Sequence, residues 1–261
     1  METPQTTAGR PTPDTRISIE KYLQQLEARR LQTISSRKIG PIPLTYDQFS
    51  RLVMAHGSNY LAERGETVRF TIDHGNEPVI RQLYLYFTGD PSFSGHLTRG
   101  ILINGRYGSG KTAVMHAVMR TFNDCVRHWK EQGTAIPPMR LFKSSDIVEA
   151  FRYEAGKNGE KSEPGQGEQI KISVTRKNYL TGIVAIDELG REQKEINLWG
   201  TVIQPLSQIL QERYDSGWPT FATANFRLDT LAQEDFYGKM IGDRLRQMFN
   251  TIELKGESRR K

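Results

Sequence analysis

The sequence predicts an α/β fold in which helices cover both faces of a five-stranded parallel sheet. Short apolar strands alternate with helical segments after about residue 95, and this alternation is typical of parallel sheets. A glycine-rich turn, Gly105–Thr112, separates the first of these strands from a helix. Two adjacent carboxylates, Asp187 and Glu188, end another apolar strand. Together these features predict a ligand-binding edge where the strands end.

A small, mainly helical N-terminal region is predicted over residues 16–90. It is preceded by residues 1–15, whose three prolines and several threonines indicate a disordered tail. Apolar periodicity and turn residues define its elements. In order, these are a helix over Ile17–Ile34, a helix over Tyr46–Arg64, a short strand over Val68–Ile72 and a helix between Pro78 and Gly89.

Residues 91–261 are predicted to form the α/β core. The predicted strands are Ile101–Asn104, Met139–Phe142, Ile183–Ile186, Pro219–Thr223 and Thr251–Leu254. The predicted helices are Lys111–Lys130, Asp146–Tyr153 and Ile203–Tyr214. Between two of these elements, residues 154–169 are rich in Gly, Glu and Lys, and this composition predicts a loop.

Composition and charge limit the classes of protein to which this chain can belong. Of the 261 residues 36% are hydrophobic and 25% charged, as in ordinary soluble globular proteins. No apolar run approaches the roughly 18 residues of a membrane span, and the polar N-terminus lacks a secretory signal. One cysteine, Cys125, cannot form an internal disulfide, which favours a reducing cytoplasm. The net charge of +6 favours polyanionic partners such as nucleic acid.

The turn after the first core strand matches the phosphate-binding loop G-x-x-x-x-G-K-[ST], the mark of P-loop NTPases. Its glycines let the backbone direct N–H groups at phosphate oxygens, and the following helix adds its positive end. Lys111 would contact the outer phosphates, and the Thr112 hydroxyl would ligate Mg²⁺. The predicted nucleotide-binding residues are Gly105, Arg106, Tyr107, Gly108, Ser109, Gly110, Lys111, Thr112 and Ala113.

Asp187 and Glu188 stand where a metal and a water molecule would be bound beside this loop. Asp187 is expected to hold Mg²⁺ together with Thr112, and Glu188 to polarise the water that attacks the γ-phosphate. The alternative is a solvated capping pair. Asn225, after the fourth core strand, would orient that water or sense the γ-phosphate; alternatively it caps a strand-to-loop turn.

Five segments occur in this order along the chain: GRYGSGKT, IVAIDELGRE, QERYDSGWPTFATANF, IGDRLRQM and ELKGESRR. Together they resemble the DnaC/IstB-like AAA+ ATPases, a family of helicase loaders and transposition helpers. The resemblance covers about Leu97 to Arg260. It implies that Asn225 is a sensor asparagine and that Arg244 is a finger reaching a neighbouring subunit's ATP, with Arg246 as the second candidate.

The same resemblance has three further implications. Arg213 falls where the family has an arginine, although a salt-bridged surface arginine is an equal alternative. Residues 16–90 would be the partner-binding region. Only Gly256–Lys261 follow the last predicted strand, so no C-terminal helical lid is expected, as in the loaders.

The function that this resemblance implies is an ATPase that loads a replicative helicase, with ATP and Mg²⁺ as cofactors. It would assemble as an ATP-dependent homo-oligomer, bind single-stranded DNA and lie in the cytoplasm, away from membranes. The alternative is the ATPase helper of a transposition system, which binds DNA and a transposase. A small-molecule kinase is disfavoured because it has no need of Glu188 beside Asp187. A nucleotide-gated scaffold with little turnover stays open.

Overall fold

The computed structural model describes residues 19–37, 39–131, 136–159, 176–198 and 200–259. The predicted disordered tail, residues 1–15, lies outside the described residues, as do residues 160–169 of the predicted loop. The chain divides into a first unit, Met1–Lys38, and a second unit, Ile39–Lys261. Among the described helices none is both long and apolar enough to cross a membrane.

The first unit contains helix α1, Ile19–Arg37, which confirms the helix predicted there. Four of its larger apolar side chains recur at helical spacing and are exposed: Ile19, Tyr22, Leu23 and Leu26.

Two helices open the second unit. Helix α2, Tyr46–Glu63, begins at a capping box in which Thr45 and Gln48 each satisfy the other's backbone N–H. Helix α3, Glu77–Thr88, has a proline in its first turn and ends at Gly89 in the left-handed conformation. Both helices confirm the sequence prediction.

The predicted strand Val68–Ile72 is wrong, because this segment forms no strand. Its backbone groups are satisfied by side chains instead of by a neighbouring strand. Phe70 N–H donates to Ser58 Oγ over 3.0 Å, and Asn76 Nδ2 donates to the Thr71 carbonyl over 2.9 Å. Alternating apolar and polar side chains favour an extended backbone, but a strand also requires a neighbouring strand to which it can hydrogen-bond.

The predicted five-stranded parallel sheet is confirmed. Its strands are β1 (Gly100–Gly105), β2 (Arg140–Lys143), β3 (Val184–Leu189), β6 (Thr220–Ala224) and β7 (Phe249–Leu254). The order across the sheet is β2-β3-β6-β1-β7, and every pairing in it is parallel. Because β6 separates β1 from β3, the carboxyl ends of these three strands lie side by side.

Helices cover both faces of this sheet. Ile101 and Ile103 of β1 belong to a core cluster that includes α2, α3 and α4 side chains, whereas Leu102 belongs to a cluster on the opposite face. The helices that follow β1 are α4 (Lys111–Glu131), α5 (Ser144–Gly159), α6 (Arg176–Leu180), α7 (Pro205–Ser216), α8 (Leu228–Leu231) and α9 (Gly238–Met248). This two-faced burial explains why the strands are almost continuously apolar.

The sequence analysis missed the end of helix α5 and a small hairpin. Helix α5 continues to Gly159, so the predicted loop is wrong over residues 154–159. A small antiparallel hairpin, β4 (Ile196–Leu198) and β5 (Thr201–Ile203), follows β3. After β7, the described residues 255–259 form no helix.

Candidate functional site

The glycine-rich turn adopts the conformation that a phosphate-binding loop needs. Gly108 and Gly110 have φ angles of 75° and 97°, a region that side chains rarely tolerate. A Cβ at Gly108 would also lie 2.2 Å from Ser258 Oγ. Helix α4 begins directly after the turn, at Lys111, so its free N–H groups point at the same place as the loop. This arrangement favours an anion.

Lys111 holds the loop together from within. Its Nζ donates to the carbonyls of Gly105 and Arg106 over 2.9 and 2.7 Å. The side chain is only 7% exposed, so the ammonium stands inside the loop, where outer phosphates would meet it.

A hydroxyl and a carboxylate meet beneath the loop. Thr112 Oγ1 donates to both oxygens of Asp187, at 3.0 and 3.1 Å. Asp187 is 2% exposed, and the Thr223 hydroxyl also donates to it. In the described residues no group of three His, Cys, Asp or Glu side chains could hold a metal alone. This donor set suits Mg²⁺, which uses one or two carboxylates together with phosphates and water.

Glu188 occupies an irregular position in β3. Its φ is +61°, unusual for a residue other than glycine, and the pairing of β3 with β6 shifts register between Ile186 and Leu189. Two contacts hold this conformation: the Glu188 N–H donates to Thr223 Oγ1 over 3.0 Å, and its carbonyl accepts from Ser144 Oγ over 3.0 Å. Strain of this kind is concentrated at functional sites.

Thr223 was not singled out from the sequence, although it contacts both predicted acidic residues. It is fully buried in β6, accepts from the Glu188 backbone and donates to the Asp187 carboxylate. The sequence signal that could have identified Thr223 is a polar residue inside the apolar run Phe221–Ala224. Asn225 follows β6, is half-buried and lines the same cleft.

The cleft extends beyond the phosphate loop and has a volume of about 310 Å³. Its far wall comes from residues 60–76, a segment that the sequence analysis did not assign to the site. Tyr60 stacks on His116 with ring centres 4.1 Å apart, and Phe70 and Asn76 also line this wall. Burial lowers the pKa of His116, with smaller contributions from neighbouring charges, so the imidazole is uncharged at neutral pH. The aromatic rings in this wall suit a flat base.

Arg259 is a further cleft residue that the sequence analysis did not assign to the site. Its guanidinium donates to both oxygens of Asp73 at 2.8 Å. The Arg259 pair is the first cause of a lowered pKa of Asp73, which burial partly offsets. Arg259 and Asp73 are 186 positions apart in the chain, so local sequence patterns did not indicate this contact.

Arg244 and Arg246 do not line the cleft of their own subunit. Arg244 lies on α9, with its guanidinium 5.5 Å from the Tyr214 ring centre. Its Nη1 donates to the Met240 carbonyl over 3.3 Å, and its Nε is buried without a hydrogen-bond partner in the described residues. Arg246 donates to Asp229 over 2.9 Å. The two arginines therefore differ in how firmly they are already held.

Arg213 does not line the cleft and is not a surface residue, so the alternative of a salt-bridged surface arginine is wrong. It is fully buried and donates to Thr220 Oγ1 and to the carbonyls of Tyr179, Gly182 and Pro219, over 2.7–2.9 Å. Burial, and secondarily Arg140, lowers its pKa to about 9. Gly182 and Pro219 precede β3 and β6, so Arg213 joins the strand ends opposite the phosphate loop.

No protein-family model and no curated protein matches this sequence. Solved structures similar to it include DnaI, at 23% identity over 72% of this chain and 86% of that chain, with a TM-score of 0.43. The DnaC helicase loader is 17% identical over 70% of this chain and 92% of that chain, with a TM-score of 0.44. AMPPCP-bound DnaA from Aquifex aeolicus is 14% identical over 72% of this chain and 49% of that chain, also with a TM-score of 0.44. The structures similar to this chain thus include proteins of the DnaC type, and at these identities the similarity concerns the fold alone.

Proposed function

We propose that this chain binds ATP with Mg²⁺ and hydrolyses it to ADP and phosphate. The observation that carries the proposal is the hydrogen bond from Thr112 to Asp187 beneath the phosphate loop. It places the hydroxyl at the start of α4 against a carboxylate in the carboxyl-terminal half of β3. A hydroxyl and a buried carboxylate in contact beside an anion-binding loop form the donor set of a magnesium–nucleotide site.

Each residue then has a defined task. The loop amides and Lys111 bind the phosphates, while Thr112 and Asp187 hold Mg²⁺. The metal, when bound, neutralises charge on the phosphate oxygens. Glu188 accepts a proton from the attacking water, and Asn225 orients that water. Thr223 keeps Asp187 and the Glu188 backbone at a fixed separation, which preserves the orientation of both carboxylates.

The far wall of the cleft supports a nucleoside triphosphate over a simple phosphate. Tyr60, Phe70 and the neutral His116 offer aromatic surface, and a volume of about 310 Å³ exceeds what a phosphate group needs. A base stacked on such a wall would gain contact area while the phosphates occupy the loop. The cleft therefore suits both ends of ATP.

For the biological role we propose a DnaC-type loader that acts on a replicative helicase and contacts single-stranded DNA. The segments that resemble the DnaC/IstB-like family support this choice, and the DnaC helicase loader is among the similar structures. Residues 16–90 are proposed to bind the partner, and the exposed apolar face of α1 suits such a contact. The core, residues 91–261, is proposed to assemble with further copies in the presence of ATP.

Two variants test the proposed activity. Lys111→Ala is expected to abolish tight ATP binding while the fold survives, because alanine is compatible with the start of α4. Glu188→Gln is expected to bind ATP but to lose roughly 10²- to 10⁴-fold in turnover, the range for general base catalysis. Calorimetry and phosphate-release assays measure these effects, and equal ATP affinity of Lys111→Ala and the parent would refute the site.

The same assays discriminate between function classes. Phosphate transfer to a nucleoside or sugar would indicate a kinase, and tight binding with negligible turnover would indicate a nucleotide-gated scaffold. The Glu188→Gln protein with bound ATP then serves as bait in a pull-down. Recovery of a helicase would support the loader role, and recovery of a transposase would support the transposition helper.

A further inference from the structure

The backbone turns sharply directly after the proposed general base. Glu188 and Gly190 both have positive φ angles, 61° and 88°, and the Arg191 N–H donates back to the Glu188 carbonyl over 3.1 Å. A Cβ at Gly190 would lie 2.7 Å from Leu231 Cδ2, so the turn has little room to change its path. Because Glu188 begins this turn, the direction of its carboxylate depends on the conformation of the turn.

A buried acid and a buried phenol hold the Gly190 amide of this turn. The Gly190 N–H donates to Glu192 Oε2 over 2.9 Å and to the Tyr237 hydroxyl over 3.1 Å. The Tyr237 O–H in turn donates to Glu192 Oε1. The two residues are 8% and 7% exposed. The three groups thus close a small hydrogen-bonded ring at the end of β3, away from solvent.

The chemistry of this ring is unusual for a purely structural contact. Within the described residues the hydrogen-bond partners of the Glu192 carboxylate, an amide and a phenol, are both uncharged. Burial of a carboxylate without a cation is unfavourable, so an apolar side chain would stabilise this position more. Burial, and then Glu192, raise the pKa of Tyr237 well above its usual value, so the phenol keeps its proton and stays a donor.

Tyr237 also joins the turn to helix α9. It is the N-cap residue of α9, and its N–H donates to the Leu231 carbonyl over 3.1 Å. Arg244 lies about two helical turns further along α9. The ring around Gly190 therefore has two possible beneficiaries, the general base on one side and the candidate finger on the other. The first is favoured because Gly190 is only two residues from Glu188 in a turn of positive φ angles.

We propose that Glu192 and Tyr237 are positioning residues for Glu188. By holding the Gly190 N–H, they keep the turn in the conformation that directs the Glu188 carboxylate at the attacking water. Neither residue lines the cleft, so they act through the backbone and make no contact with the nucleotide. This inference rests on the proposed ATP hydrolysis with Glu188 as the general base.

Tyr237→Phe is the first test, because phenylalanine keeps the buried ring and removes only the hydroxyl. It is expected to lower kcat roughly 10- to 100-fold, since a misplacement of about 1 Å can reduce catalysis about 100-fold. KM and the affinity for ATP should stay unchanged. Glu192→Gln should lose less turnover than Glu192→Ala, because its amide oxygen still accepts from the Gly190 N–H.

A double-mutant cycle identifies the residue through which Tyr237 acts. If Tyr237 positions Glu188, Tyr237→Phe causes little further loss of turnover in the Glu188→Gln protein, whose general base is already absent. If Tyr237 serves α9 instead, its full effect persists with Glu188→Gln and disappears in the Arg244→Ala protein. Phosphate release at saturating ATP and Mg²⁺ measures all of these rates.

The matched control is Tyr86→Phe. Tyr86 is 3% exposed and donates to the Arg99 carbonyl over 2.8 Å, outside the cleft, so turnover should not change. Thermal unfolding checks that each variant is folded, and Glu192→Gln enters the same cycle if Tyr237→Phe is unstable.

Three results would overturn the proposal: parent turnover by folded Tyr237→Phe, weaker ATP binding as the source of its loss, or an undiminished loss with Glu188→Gln. Parent turnover by Glu188→Gln alone would instead contradict the proposed general base and leave nothing for Tyr237 to position.

Discussion

Arg191 donates from Nη1 to Oε1 of Glu188 over 2.7 Å, and its guanidinium lies 5.3 Å from the ring centre of Tyr107 in the phosphate loop. The contact occupies one oxygen of the carboxylate that we propose as the general base. Because the two side chains are 43% and 37% exposed, the pair contributes at most about 1 kcal/mol. Breaking this ion pair therefore adds little to the activation free energy of hydrolysis.

Arg191→Ala is expected to raise the turnover number by up to about fivefold, since about 1 kcal/mol no longer opposes release of the carboxylate. Phosphate release at saturating ATP and Mg²⁺ measures this. Arg127→Ala is the control, because Arg127 pairs with Asp124 at the same i,i+3 spacing, away from the cleft. A lower rate for Arg191→Ala would show that Arg191 assists the reaction instead of restraining it.

Arg244→Ala is expected to keep ATP affinity and to lose roughly 10³- to 10⁵-fold in hydrolysis, the measured range for arginine fingers. Arg244 lies outside its own cleft, so it can reach only the ATP of a neighbouring subunit. Mixing Arg244→Ala with Lys111→Ala should restore part of the activity, because one interface then combines an intact loop with an intact finger. A mixture that co-assembles and stays inactive would argue against this role.

Arg246→Ala discriminates between the two candidate fingers. Arg246 is held by Asp229 at 2.9 Å, whereas the Arg244 guanidinium rests on Tyr214 and its Nε has no hydrogen-bond partner in the described residues. We therefore expect the smaller loss of hydrolysis from Arg246→Ala. The reverse ranking in a phosphate-release assay would transfer the role to Arg246.

Arg213→Ala is expected to destabilise the fold by about 3 kcal/mol or more. The change leaves three buried carbonyls and a hydroxyl without their donor and opens a cavity. Urea unfolding measures the loss, with Arg120→Ala as the control because its pair with Glu63 is partly exposed. An unchanged urea midpoint for Arg213→Ala would contradict the structural role.

Affinity for single-stranded DNA is expected to fall steeply with salt, because each phosphate contact releases counterions. Replacing Arg260 and Lys261 by alanine should flatten the slope if these residues contact phosphates. Arg259 is left unchanged in this test because it lines the nucleotide cleft. No DNA binding at low salt with ATP present would show that the net charge of +6 serves another purpose.

The sequence by itself determined the alternating fold and the phosphate loop. Both are encoded locally, since a buried strand is a short apolar run and the loop requires glycines and a lysine at fixed spacing. Asp187 and Glu188 could be predicted for the same reason, because they are two acids directly after a short apolar run. The prediction of a strand over Val68–Ile72 was wrong, because a strand needs a neighbouring strand to pair with, and no local sequence pattern shows whether one is present.

Only the tertiary structure decided which distant residues share the cleft. The sheet order places β6 between β1 and β3, and this order brings Thr223 against Asp187 and the Glu188 backbone. The path of the chain after β7 places Arg259 in contact with Gly108 and Asp73. Arg213 lies at the opposite end of the strands, where it binds the carbonyls of Gly182 and Pro219. Threonine, aspartate and arginine are also common at solvent-exposed positions, so their residue types alone do not reveal these contacts. Their roles follow from where the packed sheet and helices place them.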